Sequence, residues 1–90
     1  MLDSGEQVRG SIVRSRLKEL VLQREIAEGR KIKQIEICEA TGLNPHTVGR
    51  WMSPVPFERF EVRPLVALSE WLGVHVGELL SVERIQPSDG

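Results

Sequence analysis

Within the window Gln34 to Met52, the side chains of Gln34, Asn44, His46, Thr47 and Arg50 can all donate or accept hydrogen bonds, and Pro45 and Gly49 lie among them. These residue types suit the edges and phosphates of a nucleic acid. Arg50 can give a bidentate pair to guanine O6 and N7, and His46 can donate to a guanine or contact a phosphate; a good bidentate contact discriminates by about 1–3 kcal/mol. Pro45 offers apolar contact, as to a thymine methyl, and Gly49 offers no side chain. Pro45, His46, Gly49 and Arg50 are therefore the residues expected toward bases. Gln34, Asn44 and Thr47 suit phosphate oxygens, which fix register without reading sequence, and Gln34 opens a helix whose free amides and dipole favour an anion. Arg14, Arg16, Lys31 and Lys33 form the expected electrostatic periphery, with a solvated helix face as the plain alternative for each.

Other chemistries find little support. Ninety residues make one small domain, which buries only about 60–65% of the surface its unfolded chain exposes. That leaves too little interior for a deep substrate cavity, and no enzyme is expected. Glu36 and Glu39, three apart, could mimic a carboxylate pair, but no nucleophile with its base and no Gly-rich phosphate loop accompanies them. Cys38 and two distant histidines do not assemble a metal site, so neither metal nor cofactor is expected. Cys38 reads as a small residue where two helices cross, and His75 as a cap or surface histidine. The start, Met1-Leu2-Asp3-Ser4-Gly5-Glu6, is acidic where a signal peptide is basic and then apolar. No apolar run approaches the roughly 18 residues of a membrane span. The expectation is a cytoplasmic protein with no membrane partner.

The elements that must position the polar residues are read from periodicity. Ser11 is a plausible N-cap, and Val13, Leu17, Leu20 and Val21 form one helical stripe, predicting a first helix near 12–28 stopped by Gly29. Ile32 to Leu43 fits a short helix closed by Gly42. Asn44 caps the next, with Pro45 tolerated at its first position. Ser53 to Phe60, with Pro54 and Pro56, is a loop anchored by aromatic residues. Leu65, Leu68, Trp71 and Leu72 repeat at helical spacing, with Pro64 in the first turn and Gly73 as stop; Trp71 reads as core, or as an interface if exposed. Val76, Leu79 and Leu80 mark a last short helix. The expected fold is all-α: a compact five-helix domain over 11–82, with tails at 1–10 and 83–90 and no strand.

The window has a further property. Counting Gln34 as first, a helix-turn-helix needs an apolar fourth residue, a small fifth, Gly at the ninth, and apolar tenth, fifteenth and eighteenth residues. Ile37, Cys38, Gly42, Leu43, Val48 and Trp51 occupy those positions. With Ile32-Lys33-Gln34, Ala40-Thr41-Gly42-Leu43-Asn44, Thr47-Val48-Gly49-Arg50-Trp51, Leu72-Gly73-Val74 and Glu78-Leu79-Leu80, the chain resembles the Xre family of Cro-like bacterial and phage repressor domains over about residues 11–82. The resemblance implies a five-helix DNA-binding domain whose third helix enters the major groove of double-stranded DNA, usually as a dimer on a near-palindromic operator. The chain departs from the family in three places. The connection Glu25 to Lys31 is long, Lys33 stands where Ser or Thr is usual, and the loop Ser53–Phe60 carries prolines where many relatives have a Gly-basic turn.

The net charge of −1 conceals an asymmetry: residues 9–52 carry nine Arg and Lys against five Glu, whereas residues 53–90 carry three Arg against six acids. One part suits phosphate and the other something else. A sequence-specific transcriptional regulator, by family analogy a repressor, is the first reading. An interaction module such as an antitoxin, with Glu58, Glu61, Glu70, Glu78 and Glu83 facing a basic protein partner and DNA binding secondary, is the alternative. Leu79, Leu80, Val82 and Ile85 leave an apolar stripe that either caps the core or meets a second subunit, giving a homodimer with recognition helices about 34 Å apart. On this reading Arg50→Ala relaxes sequence preference, and Arg14→Ala weakens all sequences alike.

Overall fold

Residues 11–84 are described by the computed structural model. Ser11-Ile12-Val13-Arg14-Ser15 is a strand, β1 (Ser11–Ser15), not the first turn of a helix. Adjacent β-branched Ile12 and Val13 are stiff at χ1 and favour extended backbone. The chain then turns: Ser15 Oγ accepts the Leu17 amide at 3.0 Å, and helix α1 runs Leu17–Glu28 with Leu17, Leu20 and Val21 buried. The stripe that suggested one helix near 12–28 is therefore shared between two elements, with Val13 on a strand and Leu17 on the helix.

Three further helices follow: α2 (Gln34–Thr41), α3 (Pro45–Met52) and α4 (Val62–Leu72). Helix α4 begins before Pro64, which falls at the third helical position, where the missing amide has no partner to lose. The last predicted helix is a single 3₁₀ turn, Val76–Leu79, and Leu80 opens strand β2 (Leu80–Arg84). β2 pairs antiparallel with β1, from Ser11 opposite Arg84 to Ser15 opposite Leu80.

The all-α, five-helix expectation is thus overturned. The described residues form four α-helices, a 3₁₀ turn and a two-stranded antiparallel sheet, a mixed α/β fold. The strands escaped notice because each is five residues long and its partner lies at the far end of the chain, with no hairpin turn to announce the pair. The expected tails, 1–10 and 83–90, lie outside the described residues except for Glu83 and Arg84, which belong to β2.

Two backbone hydrogen bonds tie the first strand to the loop after α3 and the residue that follows it to the 3₁₀ turn. The Phe57 amide donates to the Val13 carbonyl at 2.7 Å, and the Arg16 amide to the Leu79 carbonyl at 2.8 Å. Leu17, Ile37, Val48, Leu68 and Leu79 are completely buried, and they come from α1, α2, α3, α4 and the 3₁₀ turn. Every helix thus contributes to one core, completed by Leu20, Val21, Ile32, Cys38, Leu43 and Trp51. Arg24 fastens α1 to α4. Its guanidinium donates to the Trp71 carbonyl at 2.9 Å and lies 4.9 Å from the Trp71 ring, which is half-buried against the core.

Candidate nucleic-acid interface

Helices α2 and α3 are joined by Gly42, Leu43 and Asn44. Gly42 sits at φ +77°, a left-handed conformation that glycine adopts without the Cβ penalty. Its amide donates to the Cys38 carbonyl at 2.8 Å, ending α2. Thr41 Oγ1 donates to the Ile37 carbonyl at 2.7 Å and accepts the Leu43 amide at 3.3 Å, which turns Leu43 into the core. Asn44 Oδ1 then accepts the Thr47 amide at 2.8 Å, and Pro45 opens α3 as its first residue. Ile37, Cys38, Leu43, Val48 and Trp51 are all buried, so the apolar and small positions expected of the two-helix unit do face the core.

What remains outward is polar and small. Pro45 and His46 are exposed and Thr47 and Gly49 half-buried on α3, while Lys33 and Gln34 are exposed where α2 begins. The start of α2 meets the middle of α3: Gln34 Oε1 lies 3.8 Å from the place a Cβ on Gly49 would occupy. Gly49 keeps this surface low, and Gln34 covers it. Lys33 precedes α2 with extended backbone and no acceptor in its side chain. Glu36 Oε1 receives the Lys33 amide at 3.4 Å instead. The stronger duty of Glu36 is to hold Arg30 at 2.7 and 3.2 Å, and that guanidinium keeps its carboxyl below the usual range.

Arg50 does not stand free with these residues. Its guanidinium donates to the carbonyls of Val55 and Pro56 at 3.1 and 3.0 Å and stacks over the Phe57 ring at 4.2 Å. Phe57 in turn packs on Trp51 and Phe60, with ring centroids 4.8 and 5.3 Å away. The proline-rich segment after α3 is therefore a braced loop, with Arg50 as its clamp. Arg14 and Arg16 are also engaged: Arg14 pairs with Glu83 at 2.6 Å across the sheet, and Arg16 holds Glu19 at 3.1 Å and the Glu78 carbonyl at 2.9 Å. Of the eleven residues expected at the interface, the structure groups Lys33, Gln34, Asn44, Pro45, His46, Thr47 and Gly49 on the start of α2 and along α3, with Lys31 exposed two residues before Lys33. It assigns Arg14, Arg16 and Arg50 to other contacts.

Sequence reasoning passed over Arg59 and Arg63, exposed cations on the loop and the first turn of α4. Neither forms an ion pair with another described residue. The acidic sum of the second half hid them, although neither has a carboxylate three or four residues away in the sequence. Among the described residues no group of three or more His, Cys, Asp or Glu could hold a metal ion. No helix among them is long and apolar enough to cross a membrane. Compared with known protein families, curated proteins and solved structures, the chain matches none of them.

Proposed function

We propose that the chain is a sequence-specific DNA-binding transcriptional regulator of the Xre type, a repressor that acts by occupying its operator, with α3 in the major groove. The observation that supports this most is the start of α2 set against α3. Two short helices are locked by Gly42 and the Asn44 cap, and they turn a low, polar surface outward beside Gly49. Short side chains at the front of a helix let its backbone approach base edges, and free helix-start amides favour phosphate.

The roles then divide by what each side chain has free. His46 reads a base edge, Pro45 makes apolar contact, and Gly49 sets the distance of approach. Gln34, Thr47, Lys33 and the amide nitrogen of Asn44, whose oxygen is used in the cap, hold phosphates. Arg50 braces the loop. With one polar base reader per α3, a single domain discriminates modestly, and useful specificity needs a second half-site.

The test is selection of random duplex DNA by the purified chain at low salt, followed by titration of the enriched duplex at several salt concentrations. Enrichment of one motif, with affinity falling as salt rises, is the expected result. Gly49→Ala sharpens it. An added Cβ meets only ordinary contact with Gln34, and alanine is worth up to about 1 kcal/mol over glycine inside a helix. The variant should melt higher yet bind the duplex more weakly. Unchanged binding would place DNA elsewhere, and failure to enrich any sequence would sink the reading.

A further inference from the structure

Helix α3 is held differently at its front and at its rear. The front is fixed to α2 by the Gly42 turn and the Asn44 cap. The rear is fixed through Phe57, in the loop that follows the helix. The peptide unit between Pro56 and Phe57 carries this connection: its carbonyl accepts from Arg50 Nη2 at 3.0 Å, and its amide donates to the Val13 carbonyl of β1 at 2.7 Å. A peptide whose carbonyl accepts from a cation becomes a better donor, so the two bonds strengthen each other. The Phe57 ring repeats the tie on the α3 side, 4.2 Å from the Arg50 guanidinium and 4.8 Å from the Trp51 ring. Backbone and ring together thus join β1 to the last turn of α3.

The other edge of β1 faces β2, where the ladder bonds fall to Ile12 with Glu83 and Arg14 with Ser81. Two strands of five residues are a marginal pair by themselves. Leu79, just before β2, is anchored separately, in the core and on the Arg16 amide. The sheet can therefore open while the helices stay packed. We propose that Phe57 is a positioning residue for α3, and that through it the pairing of β1 with β2 sets how firmly α3 keeps its DNA-binding orientation. This deepens the DNA-binding reading by giving that site a control element, and it rests on that reading for the effect on DNA alone. With the sheet closed, Val13 is fixed and the Pro56–Phe57 peptide is gripped from both sides. With the sheet open, Val13 moves with the freed strand and the Phe57 amide loses its acceptor. Arg50 and Trp51 then hold a loop that is no longer anchored outside their own helix. The helix keeps its hinge at Asn44 but not its angle.

Amide hydrogen exchange of the full chain without DNA tests the connection. Ser81→Pro removes a ladder amide. In that variant the amides of Phe57, Arg50, Trp51 and Met52 should exchange about three- to tenfold faster, as for the loss of one hydrogen bond, while those of Val21 and Ile37 keep their protection. Phe57→Leu keeps the amide and apolar bulk but loses the ring contacts. It should speed the same α3 amides with Ser81 and Glu83 still protected, and Ser81→Pro added to it should speed them less than it does alone. Unchanged α3 exchange in Ser81→Pro, or full additivity of the two substitutions, overturns the proposal. Should Ser81→Pro fail to fold, exchange of the unmodified chain in low denaturant decides: the Phe57 amide should open together with those of Ser81 and Glu83, and separate opening overturns the proposal. On the enriched duplex, Phe57→Leu should bind about threefold or more weakly, with the preferred sequence and salt dependence kept, because no contact to DNA is lost. Unchanged affinity in the fully folded variant overturns the positioning role. If no duplex is enriched, the DNA-binding reading fails and the exchange result alone decides the connection.

Discussion

At the scale of single residues, Arg50 separates two roles that look alike in a sequence. Its guanidinium makes two hydrogen bonds to the Val55 and Pro56 carbonyls and covers Phe57. Arg50→Ala should therefore cost about 1–2 kcal/mol of stability, combining lost charged hydrogen bonds and a cation–π contact, and leave the preferred DNA sequence unchanged. His46→Ala should do the reverse, relaxing preference at one base pair with little loss of stability. Urea unfolding and binding to single-base operator variants distinguish them. Lost preference at constant stability in Arg50→Ala would mean that Arg50 leaves its loop on binding. The cations divide in the same way. Lys33→Ala should reduce the salt dependence of binding by about one phosphate, whereas Arg14→Ala, which loses an ion pair to Glu83, should leave it unchanged.

At the scale of elements, the α2–turn–α3 unit was legible because its constraints are local. Glycine at positive φ, an Asn cap, proline at the first helical position and an inward Val and Trp all act within a few residues of one another. Gly42→Ala tests this, since nothing crowds a Cβ there and the left-handed backbone alone should cost about 1–2 kcal/mol. The strands were not legible, because β1 has no local partner. Val13 and Leu17 stand four apart, so a helical period fits them even though a strand and a helix carry them. The partners of Arg50 and Arg14 were hidden for the same reason: a charge count sees residue types, while these partners lie in a loop and on a distant strand. The ladder has its own test. The Val13 carbonyl turns away from β2 to take the Phe57 amide, so Val13 and Val82 exchange no hydrogen bonds, whereas Ser81 bonds to Arg14; Ser81→Pro should therefore break the sheet and cost about 1–3 kcal/mol. Val82→Pro should leave β1 and β2 paired. Equal losses from the two prolines would reverse the assignment of the edges.

At the scale of the whole molecule, ion pairs stitch the outside of a core that is small for five elements to share. Arg30 bridges Glu28 and Glu36, Arg24 holds Glu28, and Arg16 holds Glu19. Hydrogen bonds from these guanidinium groups keep the carboxyls of Glu19, Glu28 and Glu36 below their ordinary range. Their folded pKa values lie below the unfolded ones, so the folded chain binds fewer protons. The stabilisation is complete above the unfolded value of about 4.3 and is lost as pH falls through the lowered folded values. Melting temperature should hold from neutral pH down to that value and then decline. The decline should be shallower in Glu36→Gln, which has given up its share at every pH. A steeper decline in that variant would show that Glu36 is not among the groups responsible.

The pairing of Ser11 with Arg84 also has a meaning in time. During synthesis α1 to α4 leave the ribosome before β1 has a partner, and before Leu79 can fill the core or accept the Arg16 amide. Contacts between distant parts of a chain form late and slowly. A nascent chain halted before Leu79 holds α3 on an unfinished core with an open seam, the kind of partly folded chain that proteases remove. Only a chain translated through β2 closes the seam, so the fold is finished no earlier than Arg84.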